Sequence, residues 1–246
     1  MPNRRSREWP RTALLAELDP ELLAAVPEAQ RDFAARHIRV PTLELTRGAW
    51  APPPTTALRA LLIADGLMFR SVHADDHVTG DVLGRGDVVP MSRDAVLLPV
   101  GGDARVEWLV LSDTTVALLD ARVMAWAARW PALFWPLLER AAQRTDRVMA
   151  RVALVHRQRV EERLLIVLWE LAERWGKVTP DGVVLPIPLR HHHLASLVAS
   201  LRPSVTLALQ RLAARGIVVR YMRGYVLHGT LEDGCAQLAE APAGVG

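Results

Sequence analysis

The sequence has few of the residues and segments on which several large classes of protein depend. Cys235 is its single cysteine, which excludes an intrachain disulfide, a C-x-x-C redox pair and a thiolate cluster for zinc or iron-sulfur. The longest aliphatic or aromatic run, Leu164 to Trp169, is far shorter than the roughly 20 residues that cross a bilayer. The first eleven residues lack the apolar segment of a secretory signal. We therefore expect a globular cytoplasmic protein with no membrane partner.

Acidic residues are missing from one long segment near the end of the chain. Between Val183 and Leu231 there is no Asp or Glu, but there are six arginines. The positive charge of these six side chains exceeds the formal net charge of +3 of the whole chain. The remaining residues are therefore net acidic. Such a localised positive charge favours a polyanionic partner, because neutralising phosphates releases counterions.

Short β-type runs separated by Gly, Pro and Asp fill the chain from Ile38 to about Asp120. Their regular spacing is typical of an antiparallel sandwich or barrel. Before them, Asp19 and Pro20 suit the start of a helix that continues through Phe33. The predicted strands cover residues 38–45, 57–63, 66–72, 76–83, 94–99, 105–111 and 114–119.

After Asp120 the periodicity becomes helical. Residues spaced alternately by four and three form the heptad seam of a coiled coil, namely Phe134, Leu138, Ala141, Thr145, Val148, Val152 and Val155. Arginines flank this seam, so we predict a helix that exposes a charged face and buries a narrow apolar one. The apolar face requires a partner, either a second copy across a two-fold axis or the chain's own sheet.

The acid-free segment has the order of elements of a winged helix-turn-helix. A helix over 160–174 and a hairpin over 178–188 precede helices over 191–199 and 203–215 and a strand-turn-strand wing over 217–228. Pro203 suits the first helical position of the second helix, and Gly216 suits the left-handed residue after it. The sequence therefore predicts a β-rich N-terminal part followed by a mainly helical C-terminal part.

The helix over 203–215 has one face suited to the core and one suited to DNA. Val205, Leu209 and Leu212 share the core face. The opposite face can bond base edges or touch a thymine methyl group in a major groove, with base readout expected from Arg202, Ser204, Thr206, Leu207 and Gln210. Phosphate contacts are expected from Arg190, His191, Arg211, Arg220 and Arg223. The alternative is a solvated face on a small helical subdomain.

His191, His192 and His193 are consecutive. Successive side chains on a helix point about 100° apart, so the three cannot all bind one metal ion. We expect no metal site here, and either contact with backbone phosphates or plain surface placement.

These residues resemble the Crp/Fnr family of bacterial transcription regulators over nearly the whole chain. The strongest match is LRHHHLASLVASLRPSVTLALQRLAARGIV, Leu189 to Val218, followed by the wing RYMRGYVLHG. The segment VLGRGDVV, Val82 to Val89, is similar to a turn of the family's β-roll, and Gly66 falls where an earlier roll glycine is usual. The resemblance implies an α+β fold with an N-terminal antiparallel β-roll of the cyclic-nucleotide-binding type, a long dimerisation helix and a C-terminal winged helix-turn-helix.

Two sets of positions depart from the family's pattern. In the recognition helix, Pro203 replaces an acidic residue and Leu207 replaces an arginine, so the operator preference should differ from that of the best-known members. In the roll, the residues that hold ribose, cyclic phosphate and base are replaced, and a possible effector pocket would be lined by Met91, Arg105, Val106, Val148 and Met149. A nucleotide deprived of those partners loses hydrogen bonds worth roughly 1 to 3 kcal/mol each. We therefore expect no cofactor and no binding of cyclic AMP in the usual manner.

The leading hypothesis is a homodimeric, sequence-specific transcription regulator that binds a roughly palindromic operator with half-sites about one helical turn apart. RNA polymerase is a further partner implied by the resemblance, and an unidentified small molecule is a possible effector. The expected domains are residues 1–130, 131–158 and 159–246. One alternative is an enzyme or small-molecule carrier built on the β-roll, although no catalytic motif is found. Another is a dimeric co-regulator that does not read sequence.

Overall fold

The computed structural model describes residues 10–53, 58–91 and 105–240. The chain divides into two compact units, one made of residues 1–76 and 81–148 and the other of residues 77–80 and 149–246. Within the described ranges, no helix combines the length and apolarity that a membrane crossing needs. The three-part division at residues 130 and 158 stays a prediction.

The first unit begins with a strand and short helices: β1 (Arg11–Leu14), α1 (Leu15–Leu18), α2 (Pro20–Ala24) and α3 (Glu28–His37). Asp19 starts α2 as expected, because its carboxylate accepts a hydrogen bond from the Leu22 N–H at 3.3 Å. The prediction of a single helix through Phe33 is wrong. Pro27 forces the residue before it out of helical conformation, so α3 begins anew after Pro27 and leaves Phe33 exposed.

Two antiparallel sheets form the β-roll. Their strands, with β1, are β2 (Arg39–Leu45), β3 (Gly48–Trp50), β4 (Leu58–Asp65), β5 (Leu67–Ala74), β6 (His77–Gly84), β7 (Val88–Pro90), β8 (Arg105–Val110) and β9 (Thr114–Asp120). The strand orders are β1-β2-β9-β4-β7 and β3-β8-β5-β6. The predicted strands agree with β2, β4, β5, β6, β8 and β9, whereas β1, β3 and β7 were not anticipated. The predicted strand over 94–99 lies outside the described residues.

Alternation along β4 and β9 divides the core of this unit into two layers. Leu62, Ala117 and Leu119 point into a cluster with the N-terminal helices. Leu61 and Ile63 point the other way, into a cluster shared with the second sheet. Because β4 is buried on both faces, its sequence is a continuous apolar run rather than an alternating one.

Gly66 occupies a turn that no other residue fits. Its φ is +85°, and a Cβ atom there would collide with the carbonyl oxygen of Asp113. In the later turn, Asp87 accepts a hydrogen bond from the Gly84 N–H at 2.8 Å, and Gly86 has a φ of +86°. Gly66 and the turn within the segment VLGRGDVV therefore each have a structural reason for their glycine.

The long helix follows α4 (Ala121–Arg129) and is α5 (Pro131–Leu154). The expected orientation of its faces is wrong. The inward stripe is apolar only at Leu133 and Leu137 and continues as four arginines whose side chains are only 7–27% exposed, namely Arg140, Arg144, Arg147 and Arg151.

Each of these four arginines has a carboxylate partner. Arg140 pairs with Asp19, Arg144 with Asp81 at 2.8 Å, Arg147 with Asp87 at 2.6 Å, and Arg151 with Glu170 at 2.8 Å. Buried charges are stable in a protein only when they are paired in this way. We call this set the arginine ladder.

The predicted seam lies on the neighbouring stripe of the same helix. Its large members are 41–50% exposed, namely Phe134, Leu138, Val152 and, just past the helix end, Val155. Thr145 is exposed as well, while Ala141 and Val148 are half-buried. The seam is therefore not covered by the chain's own sheet, which disfavours the alternative stated above.

The second unit contains the winged helix-turn-helix. Its elements are α6 (Val160–Trp175), β10 (Lys177–Thr179), β11 (Gly182–Leu185), α7 (His191–Leu197), α8 (Arg202–Ala214), β12 (Val218–Tyr221), β13 (Gly224–Leu227) and α9 (Leu231–Glu240). The four strands form one sheet in the order β10-β11-β13-β12. The order agrees with the prediction, except that α8 begins one residue before Pro203. The helix α9 was not anticipated.

Candidate nucleic-acid interface

The turn between α7 and α8 depends on a left-handed residue and a buried arginine. Ala199 has a φ of +47°, and the Ser200 N–H donates to the Ala195 carbonyl at 2.9 Å. The buried guanidinium of Arg163, on α6, donates to the carbonyls of Val198 at 2.9 Å and Ala199 at 3.2 Å. These bonds satisfy backbone acceptors at the end of α7. Nothing in the sequence pattern indicated this role for Arg163.

Helix α8 is anchored through one face and ends in a Schellman motif. Val205, Ala208 and Leu212 are buried. At its end, Gly216 has a φ of +68° and donates to the Ala213 carbonyl, while the Ile217 N–H donates to the Leu212 carbonyl at 3.0 Å. The helix is therefore fixed at its core face, and its opposite face is available for contact.

The exposed face of α8 carries the residues predicted to read bases. Arg202, Leu207 and Gln210 are exposed, and Ser204 and Thr206 are half-buried. The Thr206 hydroxyl donates to the Arg202 carbonyl at 3.0 Å and lies 2.8 Å from Nδ1 of His191. A hydroxyl has one proton to donate, so Thr206 can be the donor in only one of these two contacts.

The wing is a two-residue hairpin beside this face. Tyr221 pairs with Gly224, which leaves Met222 and Arg223 at the tip, and Met222 has a φ of +48°. On the flank, Arg220 donates to the Tyr225 hydroxyl at 2.9 Å, and its guanidinium lies 5.0 Å from the centre of the Tyr225 ring. Tyr225 therefore holds Arg220 in place, a role that the cross-strand register reveals and the sequence alone did not.

A cavity of about 640 Å³ lies between α7, α8 and the wing. We call it the basic cleft. Its polar lining combines three predicted phosphate contacts, Arg190, His191 and Arg220, with three predicted base readers, Arg202, Thr206 and Gln210. His192 and Tyr225, which were predicted as neither, complete the polar lining. Leu209 and Val218 supply apolar lining. Among the described residues that line the cleft, none is acidic.

Burial and the neighbouring arginines both lower the pKa values of the two cleft histidines. Partial burial lowers the pKa of His191, and Arg220 and Arg202 lower it further. Partial burial, Arg190 and Arg202 lower the pKa of His192 in the same way. Both rings are therefore neutral at pH 7 in the free protein.

His193 has a different role from its two neighbours. It is buried, and its Nδ1 accepts a hydrogen bond from the Arg190 N–H at 3.1 Å, which caps the start of α7. Burial, with His192 and Arg190 adding to it, lowers the pKa of His193 to about 4. Its ring is thus a structural cap and does not face the cleft.

The expectation that no carboxylate lies near α8 is wrong at one residue. Arg211 donates to Glu161, on α6, at 2.8 Å. Burial alone would raise the pKa of Glu161, but the hydrogen bond from Arg211 holds it below its usual value. The sequence argument missed this pair because Glu161 lies outside the acid-free segment.

The residues proposed for an effector pocket are not all in one kind of environment. Met91 and Val106 pack against the cluster between the two sheets. Arg105 is largely exposed and lies 3.2 Å from Glu107. Val148 is half-buried and Met149 is exposed. Within the part of the chain that is described, no group of His, Cys, Asp and Glu side chains is arranged to hold a metal ion.

Comparison with known proteins identifies the C-terminal region. Residues 162–229 match the family model of the Crp-like helix-turn-helix domain. Comparison with curated protein sequences gives no match.

Comparison with solved structures gives the fold of most of the chain. A double mutant of CooA from Carboxydothermus hydrogenoformans is 16% identical with a TM-score of 0.63 over 94% of this chain and 98% of that one. FixK2 from Bradyrhizobium japonicum is 18% identical with a TM-score of 0.61 over 82% and 98%. The c-di-GMP-responsive regulator CLP from Xanthomonas campestris is 16% identical with a TM-score of 0.59 over 87% and 100%. These matches confirm the α+β fold, and the family model confirms the resemblance over residues 162–229.

Proposed function

With a Crp-like helix-turn-helix domain on the fold of Crp/Fnr regulators as the premise, we propose that this protein is a transcription regulator that acts as a homodimer on double-stranded DNA. Each protomer inserts α8 into a major groove of a roughly palindromic operator, with half-sites about one helical turn apart. RNA polymerase is proposed as its further partner. No enzymatic activity is proposed.

The observation that carries this proposal is the exposed face of α8 beside the basic cleft. Arg202, Ser204, Thr206, Leu207 and Gln210 are the proposed base readers. Arg190, His191 and Arg220 in the cleft and Arg223 on the wing are proposed to hold phosphates. None of the described residues that line the cleft is acidic, whereas Arg211 lies 2.8 Å from Glu161. Arg211 contacts a phosphate only if it shares its hydrogen bonds between Glu161 and the phosphate or breaks its ion pair with Glu161. Its contribution to DNA affinity should therefore be smaller.

The homodimer is proposed from the exposed seam of α5. Phe134, Leu138, Val152 and Val155 present apolar surface at heptad spacing, and Ala141, Thr145 and Val148 complete the stripe. Two such stripes related by a two-fold axis bury each other as knobs into holes. The same symmetry makes the operator palindromic.

The β-roll is proposed not to bind cyclic AMP in the usual manner. Met91 and Val106 are committed to the core between the sheets, and Arg105 lies beside Glu107, so none of the three replaces the family's nucleotide ligands. An unidentified effector near these residues and Val148 and Met149 remains part of the proposal. Calorimetry with cyclic AMP, cyclic GMP and c-di-GMP tests it, and tight binding of cyclic AMP would contradict it.

The experiment that tests the main proposal is a binding assay with DNA fragments selected by the protein from a genomic pool. Arg202→Ala should relax the preference for the selected sequence over a scrambled one, because Arg202 is proposed to read a base. Arg223→Ala should weaken binding to both sequences and reduce the slope against salt by about 1, because Arg223 is proposed to hold a phosphate. Equal small effects would instead favour the co-regulator that does not read sequence.

A further inference from the structure

The basic cleft has more room than a single phosphate contact requires. At about 640 Å³ it falls in the range of about 300 to 1,000 Å³ that is typical of small-molecule sites. Its charged side chains come from three separate places: Arg190 before α7, Arg202 at the start of α8, and Arg220 on the wing. The three guanidinium groups therefore surround the cleft instead of clustering at one position.

The positive charge of the arginines around the cleft is not balanced by an acidic residue in the described lining. None of the described lining residues is acidic, in contrast to Arg211, which has Glu161 at 2.8 Å. Burial lowers the pKa of His191 and of His192, and the neighbouring arginines lower it further. A bound anion would offset the part of this effect that comes from the arginines.

The cleft is also organised before any ligand arrives. Arg220 is held by the hydroxyl and the ring of the buried Tyr225. His191 is held by Thr206 at 2.8 Å. Donors whose positions are already fixed lose little entropy when they bind an anion. Leu209 and Val218 add an apolar part of the wall that an organic group can contact.

We propose that the basic cleft is a binding site for ligands with adjacent phosphate groups, and that it accepts free oligophosphates as well as the DNA backbone. The part of this proposal that concerns DNA rests on the proposed function, whereas the part that concerns free oligophosphates does not. A free oligophosphate in the cleft occupies the position of backbone phosphates next to α8. Such ligands therefore compete directly with the operator.

The test is titration calorimetry of the full-length protein with inorganic pyrophosphate at constant ionic strength and without divalent cations. Wild-type protein should bind pyrophosphate, and Arg190→Gln and Arg220→Gln should each weaken it roughly tenfold, because each removes a charge-assisted contact. Arg215→Gln is the matched control. It removes the same charge from the same unit, but Arg215 lies outside the cleft and donates to the Gln237 carbonyl.

A competition assay then separates the two sources of phosphate. Pyrophosphate should displace DNA from the wild-type protein at concentrations where sodium chloride of equal ionic strength does not. DNA binding without displacement, or equal losses in Arg215→Gln and the cleft variants, would overturn the inference while leaving the proposed function intact. Pyrophosphate binding without DNA binding would support the cleft site and contradict the proposed function. Thermal unfolding of Arg190→Gln and Arg220→Gln confirms that a loss is not due to misfolding.

Discussion

At the scale of single residues, the protonation of His193 makes the stability of the start of α7 depend on pH. Its pKa is about 4 in the folded protein, against about 6.5 for an unfolded histidine. The unfolded state therefore binds more protons below pH 6.5, so the stabilising effect of neutral His193 is fully present above pH 6.5 and is lost as pH falls toward 4.

We expect the thermal midpoint of the wild-type protein to fall between pH 7 and pH 5 more steeply than that of His193→Gln. The contribution of His193 is at most about 1.4 kcal/mol per pH unit. Gln keeps an acceptor for the Arg190 N–H but does not titrate. Parallel pH profiles for the two proteins would show that His193 does not control this dependence. His192→Gln is the comparison. The pKa of His192 is lowered as well, but its side chain is exposed, so this variant should change the slope less than His193→Gln does.

Leu207 gives a prediction about base identity. Its side chain is 47% exposed on the face of α8 proposed to enter the major groove, where the thymine methyl group is the apolar feature. Replacing thymine by uracil at the contacted position of the selected operator should weaken wild-type binding by roughly threefold to tenfold, because one buried methyl contributes about 0.8 kcal/mol or more. The same replacement should have no effect on Leu207→Ala. Equal effects on both proteins, measured by fluorescence anisotropy, would exclude the contact.

At the scale of elements, the arginine ladder makes α5 depend on buried ion pairs. The side chains of Arg144 and Asp81 are 12% and 11% exposed. Arg70 is near both: burial lowers the pKa of its guanidinium, Arg144 lowers it further, and Asp81 opposes them. Asp81 therefore compensates two guanidinium groups.

Arg144→Met should destabilise the protein by about 3 kcal/mol, because it removes the guanidinium that pairs with the buried carboxylate of Asp81 at 2.8 Å. The matched exposed pair is Arg36 and Asp32, at 74% and 92% exposure, and Arg36→Met should change stability by no more than about 0.5 kcal/mol. Urea unfolding measures both. Equal losses in the two variants would mean that burial does not set the strength of the Arg144 pair.

The faces of α5 show what periodicity can and cannot predict. The seam and the arginine ladder have the same alternation of four and three residues and are displaced by one position, so both are valid helical stripes. The sequence assigned charge to solvent because buried charge is rare. The carboxylates that reverse this assignment, Asp19, Asp81 and Asp87, come from distant parts of the chain.

The same limit applies to the candidate interface. Spacing and turn residues predicted α7, α8 and the wing, because the signals at Gly216 and in the acid-free segment are local. The basic cleft was not predicted as one cavity, since Arg190, Arg202 and Arg220 meet only after folding. Tyr225 and Glu161 were missed for the same reason: each acts on an arginine from another element or strand.

At the scale of the whole molecule, the exposed seam predicts the assembly. Leu138→Glu with Val152→Glu should leave the fold intact, because both side chains are about half exposed. It should convert the protein to a monomer and weaken operator binding by at least about 100-fold, since the two half-sites are then bound independently.

Sedimentation velocity and operator titration measure these two effects. The matched control is Gln143→Glu with Ala150→Glu, which adds two acidic residues at a seven-residue spacing on exposed positions away from the seam. This variant should remain dimeric. A seam variant that stays dimeric would contradict the proposed assembly.

The two stripes of α5 also restrict how the length of this helix can change during evolution. Inserting one residue after Leu137 turns everything beyond it by about 100°, which moves the ladder arginines off their carboxylates and the seam off its partner together. A seven-residue insertion restores both directions to within about 20°, although it lengthens the helix by about 10 Å. Related proteins that differ in the length of this helix should therefore differ by whole heptads.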